Sequence, residues 1–212
     1  MPPIEERVEG ISVWRDHAPN PRWQFIYAPG AGSNLADPFG AWLAETLPRA
    51  NVSLVRFQFP YQEAGGKRPD RPAILESTWR AVIESSLDPN KLLAIGGRSM
   101  GGRIASIVAA ECASIDALCL FAYPLHPPKR PELARTDHLS RISSPTLFLS
   151  GTRDVFASPE EIKAATTLVT RGTNHMLEGA DHGFSTLKSD NKSRSDIWDE
   201  AAQRLLSWLE AL

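Results

Sequence analysis

Apolar residues recur along this chain in two alternating rhythms. Short, nearly continuous apolar runs rich in β-branched and aromatic residues alternate with longer segments whose apolar positions return every three or four residues. The first pattern fits strands and the second fits helices, because side chains alternate across a strand but share one helix face at i, i+3 and i+4. The pattern predicts strands over residues 11–15, 23–28, 52–59, 91–95, 115–123 and 146–149, and helices over 39–47, 73–87, 102–112, 159–167 and 195–212. Ile74, Leu75, Trp79, Val82 and Ile83 mark the inner face of the second helix, and Ile197, Trp198, Ala201, Leu205 and Leu209 that of the last. The run 115–123 (IDALCLFAY) is apolar at nearly every position, as in a strand covered on both faces. Residues 173–178 are polar for a central strand, so this segment reads as an edge strand with one solvated side.

Repeated strand-helix units predict an α/β fold: a doubly wound, mostly parallel sheet with helices on both faces. No linker, repeat or low-complexity tract divides the 212 residues, and one domain over 1–212 is expected. Residues 62–71 and the proline-laden 124–131 read as loops, and 188–194 (KSDNKSR) as a solvated loop. Little sequence separates the 124–131 loop from the next strand, so little or no lid is expected over any site there.

A net charge of −2 offers no basic stripe for a phosphate backbone, which argues against a nucleic-acid partner. The longest apolar runs are strand-sized, and the N-terminus lacks the basic-then-apolar layout of a secretory signal. No membrane association and a cytoplasmic location are therefore expected. Cys112 and Cys119 both sit amid apolar neighbours and read as structural thiols, with no metal-ligand spacing. No metal and no cofactor are expected.

The stretch 92–101, LLAIGGRSMG, carries the chemistry. An apolar run breaks at glycines and presents Ser99 just before a helix, which is the form of a nucleophile elbow. A serine at so sharp a turn needs neighbours without side chains, and Gly97 and Gly101 supply that clearance. The bare spacing would arise by chance in about one chain in ten or fewer, and a plain helix-capping serine is the bland reading. The surrounding order decides. A serine hydroxyl needs a base, and the base needs an acid to hold its tautomer and charge. In a parallel sheet such groups gather at the carboxyl ends of the strands. Asp154 follows the strand at 146–149, and His182 lies in a loop before the last helix, giving the chain order Ser99, Asp154, His182 of an α/β-hydrolase triad. Asp181 is a rival acid beside the histidine. The tetrahedral intermediate needs two N–H donors. Met100, just after the nucleophile, is one, and Ala31 is the other, since Gly30 and Gly32 allow its backbone to approach the substrate. Arg98, Tyr123 and His126 are candidate substrate contacts with Gly30 and Gly32, because the residue before the serine and the 123–130 loop should line the mouth of the site.

These residues resemble a known group. APGAGS at 28–33, GGRSMGGR at 96–103, YPLHPP at 123–128, PTLFLSGTRD at 145–154 and GADH at 179–182 are similar to the small, lidless α/β hydrolases related to dienelactone hydrolase. The similarity extends to the predicted-hydrolase branch that includes the hydrolase-like subunit of the animal NSL acetyltransferase complex. Two departures limit what the resemblance implies. Dienelactone hydrolases proper use a cysteine nucleophile where this chain has Ser99, so their substrate does not carry over. Pro29 also stands where many hydrolases have a histidine. The expected activity is cleavage of a small ester or thioester through an acyl-enzyme, and the rival is a catalytically silent hydrolase-fold scaffold.

Overall fold

The structure, a computed structural model, describes residues 2–112 and 114–212. Eight strands form one sheet: β1 (Ile4–Val8), β2 (Ile11–Asp16), β3 (Trp23–Ala28), β4 (Val52–Phe57), β5 (Leu92–Arg98), β6 (Ala117–Phe121), β7 (Thr146–Gly151) and β8 (Gly172–Leu177). Their spatial order is β1-β2-β4-β3-β5-β6-β7-β8. The pairs from β4 to β8 are all parallel, while β1 and β2 add an antiparallel hairpin at one edge. The helices are α1 (Pro38–Thr46), the short α2 (Pro60–Glu63), α3 (Pro72–Glu84), α4 (Met100–Ala109), α5 (Pro159–Thr167) and α6 (Arg194–Glu210).

The continuous apolar runs are explained by cores on both faces of the sheet. In β3, Phe25 and Tyr27 point to one face, where Phe39 and Leu43 of α1 and Ile197, Ala201 and Leu205 of α6 pack. Ile26 and Ala28 point to the other, against Trp79 of α3, Ile104 of α4 and Ile162 of α5. Phe39 ties the first core together, with ring centroids 5.1 Å from Phe121, 5.5 Å from Phe184 and 5.8 Å from Trp198. β8 lies at the edge beside β7 alone, as its polar sequence requires.

Several boundaries differ from the sequence pattern, each for a physical reason. β5 continues through Gly96 and Gly97 to Arg98, because those glycines lie flat under neighbouring backbones. β4 stops at Phe57, since Pro60 opens α2 at the start of the expected loop. β1 is mostly exposed and joins the sheet through its ladder rather than an apolar face, so the pattern held no sign of it. α4 begins at Met100, before the expected start at residue 102, and α6 takes in Arg194 from the segment expected to be loop.

One junction seats α4 on the sheet. A Cβ on Gly101 would lie 2.3 Å from the Ala28 carbonyl oxygen and 2.5 Å from that of Pro29, and one on Gly97 would lie 2.4 Å from Ala28 O. Trp79 of α3 adds an indole hydrogen bond to the Gly101 carbonyl at 3.3 Å. Gly101→Ala is therefore expected to cost about 1–3 kcal/mol, as other overpacked sites do. Urea unfolding followed by circular dichroism measures this, and unchanged stability would refute the close approach.

A second buried contact sets an acid limit. Ser106 of α4 donates to the Arg103 carbonyl at 2.7 Å, so its oxygen accepts from His138 Nε2, also at 2.7 Å. Burial, with the Arg141 and Arg103 charges nearby, pushes the His138 imidazole down from 6.5 to about 4. The unfolded chain binds a proton near pH 6.5 that the native chain refuses until about 4, so stability falls as pH drops through that window and is unaffected above it. His138→Gln should show a shallower decline in Tm across the same window. Parallel declines for the two proteins would exclude His138 as a source of acid lability.

Candidate active site

Ser99 sits between the end of β5 and the first turn of α4, with φ 52° and ψ −119°. A positive φ in a residue with a side chain costs about 1–3 kcal/mol and persists only where the surroundings impose it. Here the Ser99 N–H is held by the Phe121 carbonyl at 2.9 Å, and its own carbonyl accepts from Arg103 at 2.9 Å. The turn lifts the hydroxyl clear of the sheet at the carboxyl ends of the strands.

Two loops from the far side of the sheet meet it there. Gly151 ends β7 so close to the following loop that a Cβ would lie 2.1 Å from the Ala180 carbonyl. The loops are also joined by hydrogen bonds donated from Arg153 N–H to Ala180 O at 2.9 Å and from Gly179 N–H to Thr152 Oγ1 at 2.9 Å. This clasp brings His182 between Ser99 and Asp154. His182 Nε2 lies 2.9 Å from Ser99 Oγ, and Nδ1 lies 2.8 Å from Asp154 Oδ2. Asp154 accepts only, so the network assigns the proton to Nδ1 and leaves Nε2 as the acceptor for the serine hydroxyl. The Asp154 side chain is fully buried and its Oδ1 accepts from the Phe156 N–H at 2.8 Å. The Phe156 ring lies over the imidazole, with centroids 4.2 Å apart. Asp181, the rival acid, is spent on its own turn: its Oδ1 accepts from the Gly183 and Ser185 N–H groups.

An open cleft of about 510 Å³ beside Ser99 is lined by Gly30, Ala31, Gly32, Arg98, Phe156 and His182, among others. The glycine-rich loop is gripped from behind by α2. Gln62 Nε2 donates to the Gly30 carbonyl at 3.2 Å and to the Ser33 carbonyl, and the Tyr61 hydroxyl donates to Ala31 O at 2.8 Å. Among the described residues, the N–H groups of Ala31 and Met100 donate to no protein acceptor.

Two expected substrate contacts lie elsewhere. Tyr123 is wholly buried and its hydroxyl donates to the Arg135 carbonyl at 2.8 Å. His126 is buried as well, with Nδ1 bonded to Pro127 O and Nε2 to Glu161 of α5. The loop after β6 folds back on α5 instead of over Ser99, because His126 N–H is captured by the Phe156 carbonyl at 3.1 Å. In their place the cleft gains Trp198 and Arg194 of α6 and Asp37 of the turn before α1. The apolar face of α6 marked Trp198 as inward-facing, but no local signal set Arg194 apart from its charged neighbours. No group of three or more His, Cys, Asp or Glu side chains among the described residues stands close enough to hold a metal ion. No helix among them is long and apolar enough to cross a membrane.

A family profile described as an alpha/beta hydrolase domain matches residues 21–210. Three solved structures share the fold. Est1E from Butyrivibrio proteoclasticus is 16% identical with a TM-score of 0.76, over 99% of this chain and 100% of that one. XC6422 from Xanthomonas campestris, described as an α/β serine hydrolase without a lid, is 18% identical with a TM-score of 0.74, over 98% and 95%. A predicted CIB-like hydrolase from Thermoplasma acidophilum is 16% identical with a TM-score of 0.73, over 99% of each chain. With most of its length matched to the family and an eight-stranded sheet of the same architecture, the chain belongs to the α/β-hydrolase domain family.

Proposed function

We propose that the protein is a serine hydrolase that cleaves small carboxylic esters or thioesters through an acyl-enzyme. The hydrogen-bonded chain from Ser99 through His182 to Asp154 carries this reading. Ser99 Oγ attacks the carbonyl carbon while His182 Nε2 takes its proton. The imidazolium so formed is stabilised by the buried Asp154 carboxylate, which keeps its own negative charge. The tetrahedral intermediate collapses as His182 returns the proton to the departing alkoxide or thiolate. Water, deprotonated by the same imidazole, then hydrolyses the acyl-Ser99 ester. No metal or cofactor takes part in these steps.

The oxyanion is assigned to the N–H groups of Met100 and Ala31. Met100 N–H opens α4, where the positive end of the helix dipole also favours an anion. A trans peptide points its N–H opposite to its carbonyl. Gln62, by holding the Gly30 carbonyl, therefore aims the Ala31 N–H away from α2, and Tyr61 does the same for Gly32 by holding the Ala31 carbonyl. Such donors act because they are fixed before charge develops. Arg98, Gly30 and Gly32 are retained as substrate contacts on this reading. Est1E, which shares the fold, has a structure with ferulic acid bound, and a small carboxylic acid is the kind of product such a reaction would release.

A fluorophosphonate probe tests the reading. Intact protein should be labelled once, Ser99→Ala and His182→Ala should not be labelled, and Asp154→Asn should slow turnover of a p-nitrophenyl ester by about 10⁴-fold. An unlabelled wild type, or Ser99→Ala labelled equally well, would leave the scaffold reading in its place. Gln62→Ala should lower kcat by about 10²-fold, with a smaller change in KM, because a loosened donor is lost to the transition state. If kcat is unchanged, the loop does not depend on α2 for its aim.

A further inference from the structure

The cleft beside Ser99 presents its charge unevenly. Two guanidinium groups, Arg98 and Arg194, and one carboxylate, Asp37, stand in its wall. Asp37 is buried and already accepts from the Tyr27 hydroxyl at 2.6 Å, the Gly40 N–H at 3.0 Å and the Ser33 hydroxyl at 3.1 Å. Asp154 and Asp181, behind the wall, are committed to His182 and to the turn that carries it. The acceptors are thus spent.

The donors are not. Arg98 Nη1 lies 3.7 Å from Asp37 Oδ1, an ion pair beyond hydrogen-bond length, and the Arg98 guanidinium donates to no acceptor among the described residues. Its side chain is 23% exposed, between the buried acid and the solvent of the cleft. Arg194 gives one N–H to Ser185 Oγ at 2.5 Å and has no carboxylate in ion-pair range among the described residues. Its guanidinium carbon lies 6.0 Å over the Trp198 ring, at the outer reach of a cation–π contact, and the residue is exposed to the solvent of the cleft. Each guanidinium is a planar fork of five donors with no acceptor, suited to bidentate capture of an anion. The two stand where α4 and α6 begin, so both helix dipoles reinforce their charge.

We infer that this cleft selects esters bearing a carboxylate or similar small anionic group beyond the scissile carbonyl, with Arg98 and Arg194 as the recognising residues. The inference rests on the esterase reading for the reaction, but the binding step stands apart from turnover. A neutral substrate would displace water from the two guanidiniums and return no acceptor, so discrimination comes from that penalty as well as from attraction. The shared chemistry is the anion, and it can reside on the acid or on the alcohol.

Matched substrates separate these sources. On the acid side, 4-methylumbelliferyl hemisuccinate is compared with the butyrate. On the alcohol side, 3-carboxy-4-nitrophenyl acetate is compared with 4-nitrophenyl acetate. The anionic member of at least one pair should show a kcat/KM about tenfold or more above its neutral partner. That ratio should decrease with added salt, drop several-fold in Arg98→Gln or Arg194→Gln, and recover in part with Arg194→Lys. In parallel, calorimetry on Ser99→Ala protein compares monomethyl glutarate with methyl butyrate. Preferential binding of the glutarate ester, weakened at least fivefold by either glutamine substitution in that background, would support the subsite even if wild-type protein hydrolysed nothing. In that case the esterase reading fails and the anion site survives. Equal kcat/KM within both pairs, or ratios indifferent to both arginines, would overturn the inference while leaving the esterase reading intact.

Discussion

Every functional distance in the cleft depends on one close approach of backbones, where the end of β3 meets the turn that carries Ser99. The Ala28 carbonyl lies where the Cβ of either Gly97 or Gly101 would have to be. With glycine at both positions, α4 sits directly on the sheet and Ser99 is forced to φ 52°. The strain of about 1–3 kcal/mol is stored there because the surrounding sheet is far more stable than the turn is strained. The same contact has a second effect. The glycine-rich loop leaves β3 just after Ala28, so seating the elbow against β3 also seats residues 30–32 beside Ser99. Ser99 and the glycine-rich loop are therefore positioned by one junction.

His182 and Asp154 arrive from another direction and need a separate lock. Gly151 lets the loops after β7 and β8 touch, and the cross-loop hydrogen bonds hold them in one register. Asp154 is fully buried, which raises the cost of moving its charge and makes its bond to His182 directional. Phe156, one face against the imidazole, leaves that ring little room to turn away from Ser99. Phe184, at φ 55°, anchors the histidine loop into the aromatic cluster around Phe39. The hydrogen-bonded line from Asp154 to Ser99 thus joins two rigid bodies, the elbow and the loop pair, across the ends of four parallel strands.

Much of this was legible in the sequence, for reasons that differ by residue. The parallel strands were visible because both their faces are apolar, and the edge position of β8 because one of its faces is not. Ser99, His182 and Asp154 were legible as a set because strand-end position and chain order are properties of sequence. Distances were not. Asp181 could be set aside only once its carboxylate was seen capping its own turn. Sequence position puts Tyr123 and His126 at the mouth of the site, but a loop's direction depends on tertiary hydrogen bonds, here those to Phe156, Glu161 and Arg135. Gln62 and Arg194 carry no sequence signal for the same reason. A glutamine in a short turn and an arginine in a charged segment look ordinary until the partner that each one faces is known.

The openness of the cleft bears on how it can be selective. An enclosed site can reject ligands by shape and strengthens every polar contact by excluding water. Among the described residues no helical cap covers this site, and solvent reaches the wall, so a single hydrogen bond there competes with water on nearly equal terms. Selectivity in such a setting falls to groups that offer several fixed donors at once, since bidentate contacts lose less to competition than isolated ones. Asp37 connects this to the loop beside Ser99. Its carboxylate holds Tyr27, Ser33 and the first turn of α1, and draws Arg98 toward the wall without saturating it. One buried acid thereby stiffens the loop on its outer side, while α2 grips it from behind, and keeps a guanidinium near Ser99. That internal bracing fixes the loop beside Ser99 without shielding it from water, so the polar groups of the wall act in solvent.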